Sequence, residues 1–265
     1  MNDPIRTIDF RSDERCGYEQ HQQEWLLTNG LGGYSTGTIT GIATRRYHAL
    51  LVAAFGAPLG RIILFNTIQE FLSINGYSMY NLTTEQPDNC DSIQNRCCHL
   101  QQFSLQSGLP VWRFQIQDVS IEKRIVMAHM QNTVYITYTI LSSPEQCTLT
   151  LLPLIQFRQH DQPPSTDDKS SYIFTARSDR YEISSETSSI TLKLYMHAPV
   201  KKFILEGGVR KNVFHVIEAQ RGYEAAGSLW SPGVLKTTLK SGESATIIAS
   251  SESWEAIMAL SPSAA

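Results

Sequence analysis

The chain has 265 residues, a net charge of -3, and 42% hydrophobic against 18% charged residues, which excludes a disordered protein and leaves room for a large core. It lacks the basic excess of a nucleic-acid-binding protein and any apolar run of the roughly 18 residues that a membrane-spanning helix needs. Its first residues also lack the pattern of a signal peptide. We therefore expect a cytoplasmic protein that binds neither nucleic acid nor membrane.

The cysteines do not suggest a disulfide framework, because they number five in a chain without a secretion signal. The run Cys97-Cys98-His99 raises the possibility of a metal site. Adjacent residues usually point to different sides of the chain, and no second ligand pair stands at zinc spacing. We expect free thiols, no metal and no cofactor.

Strand patterns dominate the chain in sequence order. Residues 21–27 could form a short helix, but residues 119–127 place their apolar side chains on odd positions, the period of a half-buried strand. Pro153 interrupts one strand candidate and indicates an edge or a bulge. The further strand candidates are residues 134–141, 148–157, 172–176, 181–184, 190–196 and 213–218.

The end of the chain predicts a hairpin and a helix. Residues 233–239 and 245–250 flank Lys240-Ser241-Gly242-Glu243, a good hairpin turn, and residues 253–260 could form a short helix. Turn residues separate the strands at spacings of roughly 8–14 residues, as expected for an antiparallel sandwich. The fold class is therefore all-β, with two stacked sheets in one domain over residues 1–265 and a core within about residues 24–250.

A glycine-rich run, Asn29-Gly30-Leu31-Gly32-Gly33-Tyr34, lies near the N-terminus. No Lys-Ser/Thr pair follows at phosphate-loop spacing, and no dinucleotide-binding pattern opens a helix. The simplest interpretation is that these glycines make tight turns between short strands.

The block around these glycines is more specific than the glycines alone. WLLTNGLGGYSTGTITG, followed by RRYHALLVA at residues 45–53, resembles the opening of the N-terminal domain of bacterial and archaeal glycogen debranching enzymes. Weaker similarity continues at residues 61–70, 152–160, 218–222 and 229–233. The resemblance implies a β-supersandwich, which a helical (α/α)6-type barrel follows in that family. It also implies that the barrel, absent from this chain, carries the amylo-α-1,6-glucosidase chemistry.

Two positions depart from the pattern of the family. Ala49 stands where the family usually has glycine after Arg-Arg-Tyr-His. Gly227-Ser228 stand where it typically has an acidic pair. If those acids contact the barrel or the glucan, that contact is missing here.

Sugar binding is the chemistry that the residues themselves favour. Glycoside hydrolysis needs two carboxylates flanking the bond, and no motif nominates such a pair, so we name no catalytic residue. Sugars bind to aromatic faces and to planar polar groups, and one segment supplies both types. The candidate substrate-binding residues are Arg46 and His48 first, then Tyr47, Arg45, Trp25 and Asn29. Tyr34 lies in the same segment, and Trp230 is a second candidate for which core packing is the stronger alternative. Trp25 and Tyr47 could instead be core or turn anchors, and one of the two arginines could be a structural ion-pair or carbonyl ligand.

Three functions remain open from the sequence. The first is a non-catalytic N-terminal domain of a glycogen debranching enzyme that packs on the barrel and helps bind α-glucan, glycogen or limit dextrin. The second is a free-standing α-glucan-binding module. The third is an interaction subunit for a separately encoded barrel, so the barrel would be a partner in cis or in trans.

Overall fold

The computed structural model describes residues 6–10, 20–76, 78–82, 99–166, 171–186 and 188–260. Strands make up most of these residues, so the all-β prediction is confirmed. In chain order the strands are β1 (Arg6–Asp9), β2 (Glu24–Thr28), β3 (Tyr34–Thr38), β4 (Ala49–Ala54), β5 (Arg61–Phe65), β6 (Thr67–Ile74), β7 (Ser78–Asn81), β8 (Leu100–Gln106), β9 (Leu109–Ile116), β10 (Val119–Met127), β11 (Thr133–Ser142), β12 (Cys147–Leu154), β13 (Arg158–Gln159), β14 (Tyr172–Arg177), β15 (Arg180–Ser185), β16 (Ser188–His197), β17 (Lys201–Phe214), β18 (Ala226–Leu239) and β19 (Ser244–Ser250).

The described strands form three antiparallel sheets rather than the two that we predicted. The large sheet has the order β1-β8-β9-β10-β11-β19-β16-β15-β14. The upstream sheet has the order β13-β5-β4-β3-β2, and the hairpin sheet has the order β17-β18-β12-β6-β7. Buried side chains from all three sheets, such as Phe65, Ile136 and Leu149, pack in one continuous core cluster.

The third sheet arises because the chain changes sheets at Asn66. This residue alone separates β5 of the upstream sheet from β6 of the hairpin sheet. Its backbone N–H donates to the carbonyl of Leu154 at 3.1 Å, and its Oδ1 accepts the N–H of Gln156 at 2.7 Å. Because an asparagine can form hydrogen bonds with both its side chain and its backbone, it can stabilise such a change from one sheet to another. The alternation of apolar residues along a strand does not reveal this change.

The helix predicted over residues 21–27 is wrong for most of its length. A 3-10 turn occupies Gln20–Gln22, and β2 follows and pairs with β3. Trp25 is 5% exposed and Leu26 is 63% exposed, so burial alternates as it does in a strand. A short apolar run does not by itself distinguish the period of a helix from that of a strand.

The predicted hairpin of β18 and β19 is also wrong. The turn forms, with the N–H of Glu243 donating to the carbonyl of Lys240 at 3.0 Å. However, β18 pairs with β12 and β17 in the hairpin sheet, whereas β19 pairs with β11 and β16 in the large sheet. The turn therefore connects two sheets.

Pro153 lies in an interior strand, so the prediction of an edge is wrong and that of an irregularity is right. The register of β12 with β18 stops at Leu151 and resumes as an isolated bridge between Ile155 and Trp230. Proline has no N–H to donate, which suits the gap in this register.

The two described α-helices are short. Residues 253–260 were predicted to be helical, and α2 (Trp254–Ala259) confirms this, with the hydroxyl of Ser253 accepting the N–H of Ala256. The strand predicted at residues 213–218 is wrong for most of its length, because β17 ends at Phe214 and α1 (Val216–Gln220) follows. Within the described part of the chain, no helix has the length and apolarity to cross a membrane.

Candidate functional site

Residues 39–48 form the loop between β3 and β4, and its last residues include four of the predicted sugar-binding side chains. Arg45 donates from Nε to Oε1 of Glu24 on β2. His48 lies beside the same carboxylate, with its Nε2 3.5 Å from that oxygen, and its Nδ1 accepts the backbone N–H of Arg45 at 3.4 Å. Arg45 is thus held at the surface while the side chain of His48 is only 1% exposed.

Arg46 lies between the loop and α1. Its backbone N–H donates to Oε1 of Glu218 at 3.3 Å, and its Nε lies 4.0 Å from the other carboxylate oxygen. Its guanidinium carbon is 5.4 Å from the centre of the Tyr223 ring. Glu218 is buried and Tyr223 is 56% exposed, so a buried acid orients a guanidinium group over an exposed aromatic ring.

Arg158 of β13 joins the loop to the segment that follows β13. Its guanidinium donates to the carbonyl of Arg46 and, at 2.8 Å, to the carbonyl of Gln162. Burial lowers the pKa of Arg158 to about 10, so it remains charged at neutral pH. The carbonyl of Tyr47 accepts the hydroxyl of Tyr34 at 3.5 Å, which fastens the loop from its other side.

Three buried histidines hold the same loop at three successive points. Burial lowers the pKa of each, and that of His215 falls to about 3, so all three are neutral at pH 7. The contacts are His21 Nδ1 with Thr40 Oγ1 (2.9 Å), His215 Nδ1 with the Ala43 carbonyl (3.0 Å), and His48 Nδ1 with the Arg45 N–H (3.4 Å).

We expect acid to destabilise the fold through these histidines. The pKa of His215 is lower in the folded chain, about 3, than its ordinary value of 6.5. Between these two pH values the unfolded chain therefore binds more protons than the folded chain. The contribution of His215 to the free energy of unfolding is present above pH 6.5 and is lost as pH falls. For His215 alone the loss between pH 7 and pH 5 is about 2 kcal/mol.

Urea unfolding at pH 7 and pH 5 measures this loss. His215→Asn keeps a donor for the Ala43 carbonyl but has no titrating group at this position. Between pH 7 and pH 5 this variant should therefore lose about 2 kcal/mol less stability than the parent. His197 is exposed, so His197→Asn is the matched control, and its stability should change with pH as that of the parent does. An equal loss in the parent and in His215→Asn would contradict the assignment.

Two further predicted sugar-binding residues, Trp25 and Asn29, are buried among partners inside the protein. Trp25 packs edge-on against Trp112 with ring centres 5.4 Å apart. Asn29 is fully buried, and its Oδ1 accepts the N–H groups of Leu31 and Gly33 at 3.0 and 2.9 Å. Glucan contact by Trp25, Asn29 and the buried His48 stays a prediction, whereas the structure gives each of them a clear supporting role.

The carboxylate of Glu24 is held as an ion, which is not what a general acid requires. The neighbouring His48 imidazole, followed by the hydrogen bond from Arg45, lowers the pKa of Glu24 to about 2 against the opposing effect of burial. Glu218 is engaged by Arg46. A glycosidase acid needs a raised pKa instead.

Comparison with known proteins places the chain in a family. The family model for "Glycogen debranching enzyme N terminal" matches residues 23–246. The chain belongs to this family. This match confirms the resemblance seen in the sequence, and it includes the whole loop of residues 39–48.

Two solved structures are similar to the chain over most of its length. A bacterial glucoamylase in complex with acarbose shows 9% identity and a TM-score of 0.44 over 96% of this chain and 37% of its own. A protein described as a kojibiose phosphorylase from the human microbiome shows 13% identity and a TM-score of 0.45 over 93% and 32%. This chain thus spans about a third of the length of either structure. A search of curated protein sequences found no match.

The departures from the debranching-family pattern have a structural setting. A Cβ atom on Gly227 would lie 2.7 Å from Cβ of Pro164, and the N–H of Ser228 donates to the carbonyl of Ser165 at 3.0 Å. The segment after β13 therefore occupies the space that larger side chains would need. Ala49 is buried, so its methyl group points into the protein.

Four residues of this candidate site were not predicted from the sequence to belong to it: Glu24, Arg158, Glu218 and Tyr223. Glu218 and Tyr223 lie about 170 positions from the loop that they contact, and no spacing rule connects them. A charged residue in an otherwise apolar segment was the one available signal, since Glu218 directly follows Val216-Ile217.

The described residues include no group of three or more His, Cys, Asp or Glu that could hold a metal ion. Cys97 and Cys98 lie outside the described residues, and Cys147 is a buried free cysteine.

Proposed function

We propose that this chain is the non-catalytic N-terminal domain of a debranching-type glycoside hydrolase, which helps to bind α-glucan beside a helical (α/α)6 barrel. The observation that carries the proposal is the surface of Arg45, Arg46, Tyr47 and Tyr223, within a chain that the debranching family model matches. Guanidinium groups donate two parallel hydrogen bonds to neighbouring acceptors, and tyrosine rings pack against the C–H face of a sugar.

The contacts that hold the arginines of this surface in place also favour binding. Arg45 and Arg46 are each held by a carboxylate, Glu24 and Glu218, so a ligand need not order them on arrival. Preorganised side chains reduce the entropy that binding costs. This supports a fixed platform for a neutral polymer such as glycogen or limit dextrin.

Electrophoresis through gels that contain glycogen tests the binding. Arg46→Ala should weaken glycogen binding by about tenfold, because charge-assisted hydrogen bonds and ring contacts are lost together. Arg113→Ala is the matched control, since Arg113 is a half-exposed arginine of the large sheet that pairs with Glu122. Unretarded migration of the parent chain, or equal retardation of both variants, would contradict the proposal.

Activity on branched limit dextrin tests the absence of catalysis. The pure chain should release no glucose, because the carboxylates of the site are committed to ion pairs. Sustained turnover by the chain alone would overturn the non-catalytic assignment.

Packing on a barrel is supported by the exposed tip of the loop between β2 and β3. Leu31 is 42% exposed and Met130, beside Gly30, is 55% exposed. Neighbouring exposed apolar side chains, here one on this loop and one on the turn between β10 and β11, suit a contact with a second domain. Sizing the protein from its own cell extract tests this, and a lone species of 29.8 kDa would argue against a stable barrel partner.

A further inference from the structure

A second polar surface lies at the β14 edge of the large sheet. The two-residue turn Ser178-Asp179 joins β14 to β15, and the register sets Arg177 directly opposite Arg180. Like charges in opposite cross-strand positions destabilise a sheet. A pair that conflicts with local stability points to a role other than folding.

Two of the three acids beside this arginine pair have partners within the protein. Asp179 receives a bond from Lys201 at 2.6 Å, and this contact lowers the pKa of Asp179. Glu182 accepts the indole N–H of Trp254 at 2.6 Å. A third carboxylate, Glu255 at the start of α2, is exposed to solvent.

The two arginines differ in how they are held. The guanidinium carbon of Arg180 lies 5.4 Å from the centre of the Trp254 ring, which fixes its position. Arg177 is exposed and has no side-chain hydrogen bond or ion pair to any residue that the structure describes. One fixed and one unengaged guanidinium group therefore face the same space.

A pocket of about 780 Å³, including its open mouth, lies between these side chains. Besides the arginines and the engaged acids, Thr175, Ser178 and Trp254 line it. Two guanidinium forks and two hydroxyls supply more donors than one carboxylate can accept, but they suit the several oxygens of a phosphate group.

The geometry points to a phosphate-binding site between Arg177 and Arg180. The ligand is either inorganic phosphate or the phosphate monoester of a sugar, since both present the same group to the arginines. This site is built from elements other than the Arg45–Tyr47 loop and does not depend on glucan binding.

Calorimetric titration of the chain with inorganic phosphate and with glucose 1-phosphate, at low ionic strength, tests the site. Both ligands should bind saturably, and Arg177→Gln should weaken binding by about tenfold or more. Arg177→Lys should lose less, because lysine keeps the charge but not the fork. Arg113→Gln, on β9 of the same sheet, should bind like the parent, and circular dichroism confirms that each variant folds.

The two ligands distinguish the sources. Equal affinities assign the site to free phosphate, and tighter binding of glucose 1-phosphate than of both phosphate and glucose assigns it to a sugar phosphate. Absence of saturable binding by either ligand, or affinities that Arg177→Gln and Arg180→Gln leave unchanged, would overturn the proposal.

Discussion

Replacing Lys123 with methionine is expected to lower the free energy of unfolding by about 3–5 kcal/mol. Lys123 extends from β10 into the core, where its Nζ lies 2.5 Å from Oε1 of Glu70. The side chain of Glu70 is 0% exposed, and the same oxygen accepts the hydroxyl of Tyr138 at 2.5 Å. Without the ammonium group, Glu70 would be a buried charge with one neutral partner, which is far more costly than a surface charge.

Urea unfolding of two further variants separates the ion pair from side-chain packing. Lys236 is exposed on β18, so Lys236→Met should change stability by less than about 0.5 kcal/mol. Adding Glu70→Gln to Lys123→Met should restore at least half of the loss, because the uncompensated charge is removed. A double variant no more stable than Lys123→Met would show that lost packing, not the stranded charge, explains the effect.

Replacing Asn29 with alanine is expected to cost about 3–5 kcal/mol of stability. Its carboxamide makes four hydrogen bonds: Oδ1 accepts from two N–H groups of the glycine-rich loop, and Nδ2 donates to the Gln131 carbonyl at 2.9 Å and to Asn132 Oδ1 at 3.1 Å. Alanine would leave the N–H of the buried Gly33 without this acceptor. Each buried group left unpaired costs about 1–3 kcal/mol.

Asn212→Ala is the matched control for this prediction. Asn212 is exposed on β17, so its replacement should change stability by less than about 0.5 kcal/mol. Thermal unfolding of both variants provides the comparison. A melting temperature of Asn29→Ala equal to that of Asn212→Ala would show that the carboxamide does not hold the loop.

Local sequence patterns predicted the elements better than their partners. Burial along β10 alternates strictly, so the period-two prediction for residues 119–127 is confirmed. The same alternation placed Lys123 on the inward face, but it could not explain why a charged side chain is buried there. That reason is Glu70, on a strand of another sheet, and local periodicity contains no information on such a pair.

The candidate site shows the same division. Arg45 and Arg46 were identifiable because basic, aromatic and titratable groups follow one another in a short run. Their supports, Glu24 and Glu218, come from β2 and from α1, and only the folded chain brings them to the loop. The sequence could therefore suggest a surface but not which of its side chains would remain exposed.

The sequence by itself determined the fold class, the family, the C-terminal helix and the strand at residues 119–127, because these depend on short-range periodicity or on a contiguous motif. The tertiary structure alone decided that Asn66 turns the chain into a third sheet and that β18 and β19 separate. It also decided that Trp25, Asn29 and His48 lie inside the protein. The alternation of apolar and polar residues determines which face of a strand is buried. The pairing of strands depends instead on contacts between segments that are distant in sequence, and a local pattern contains no information on those contacts.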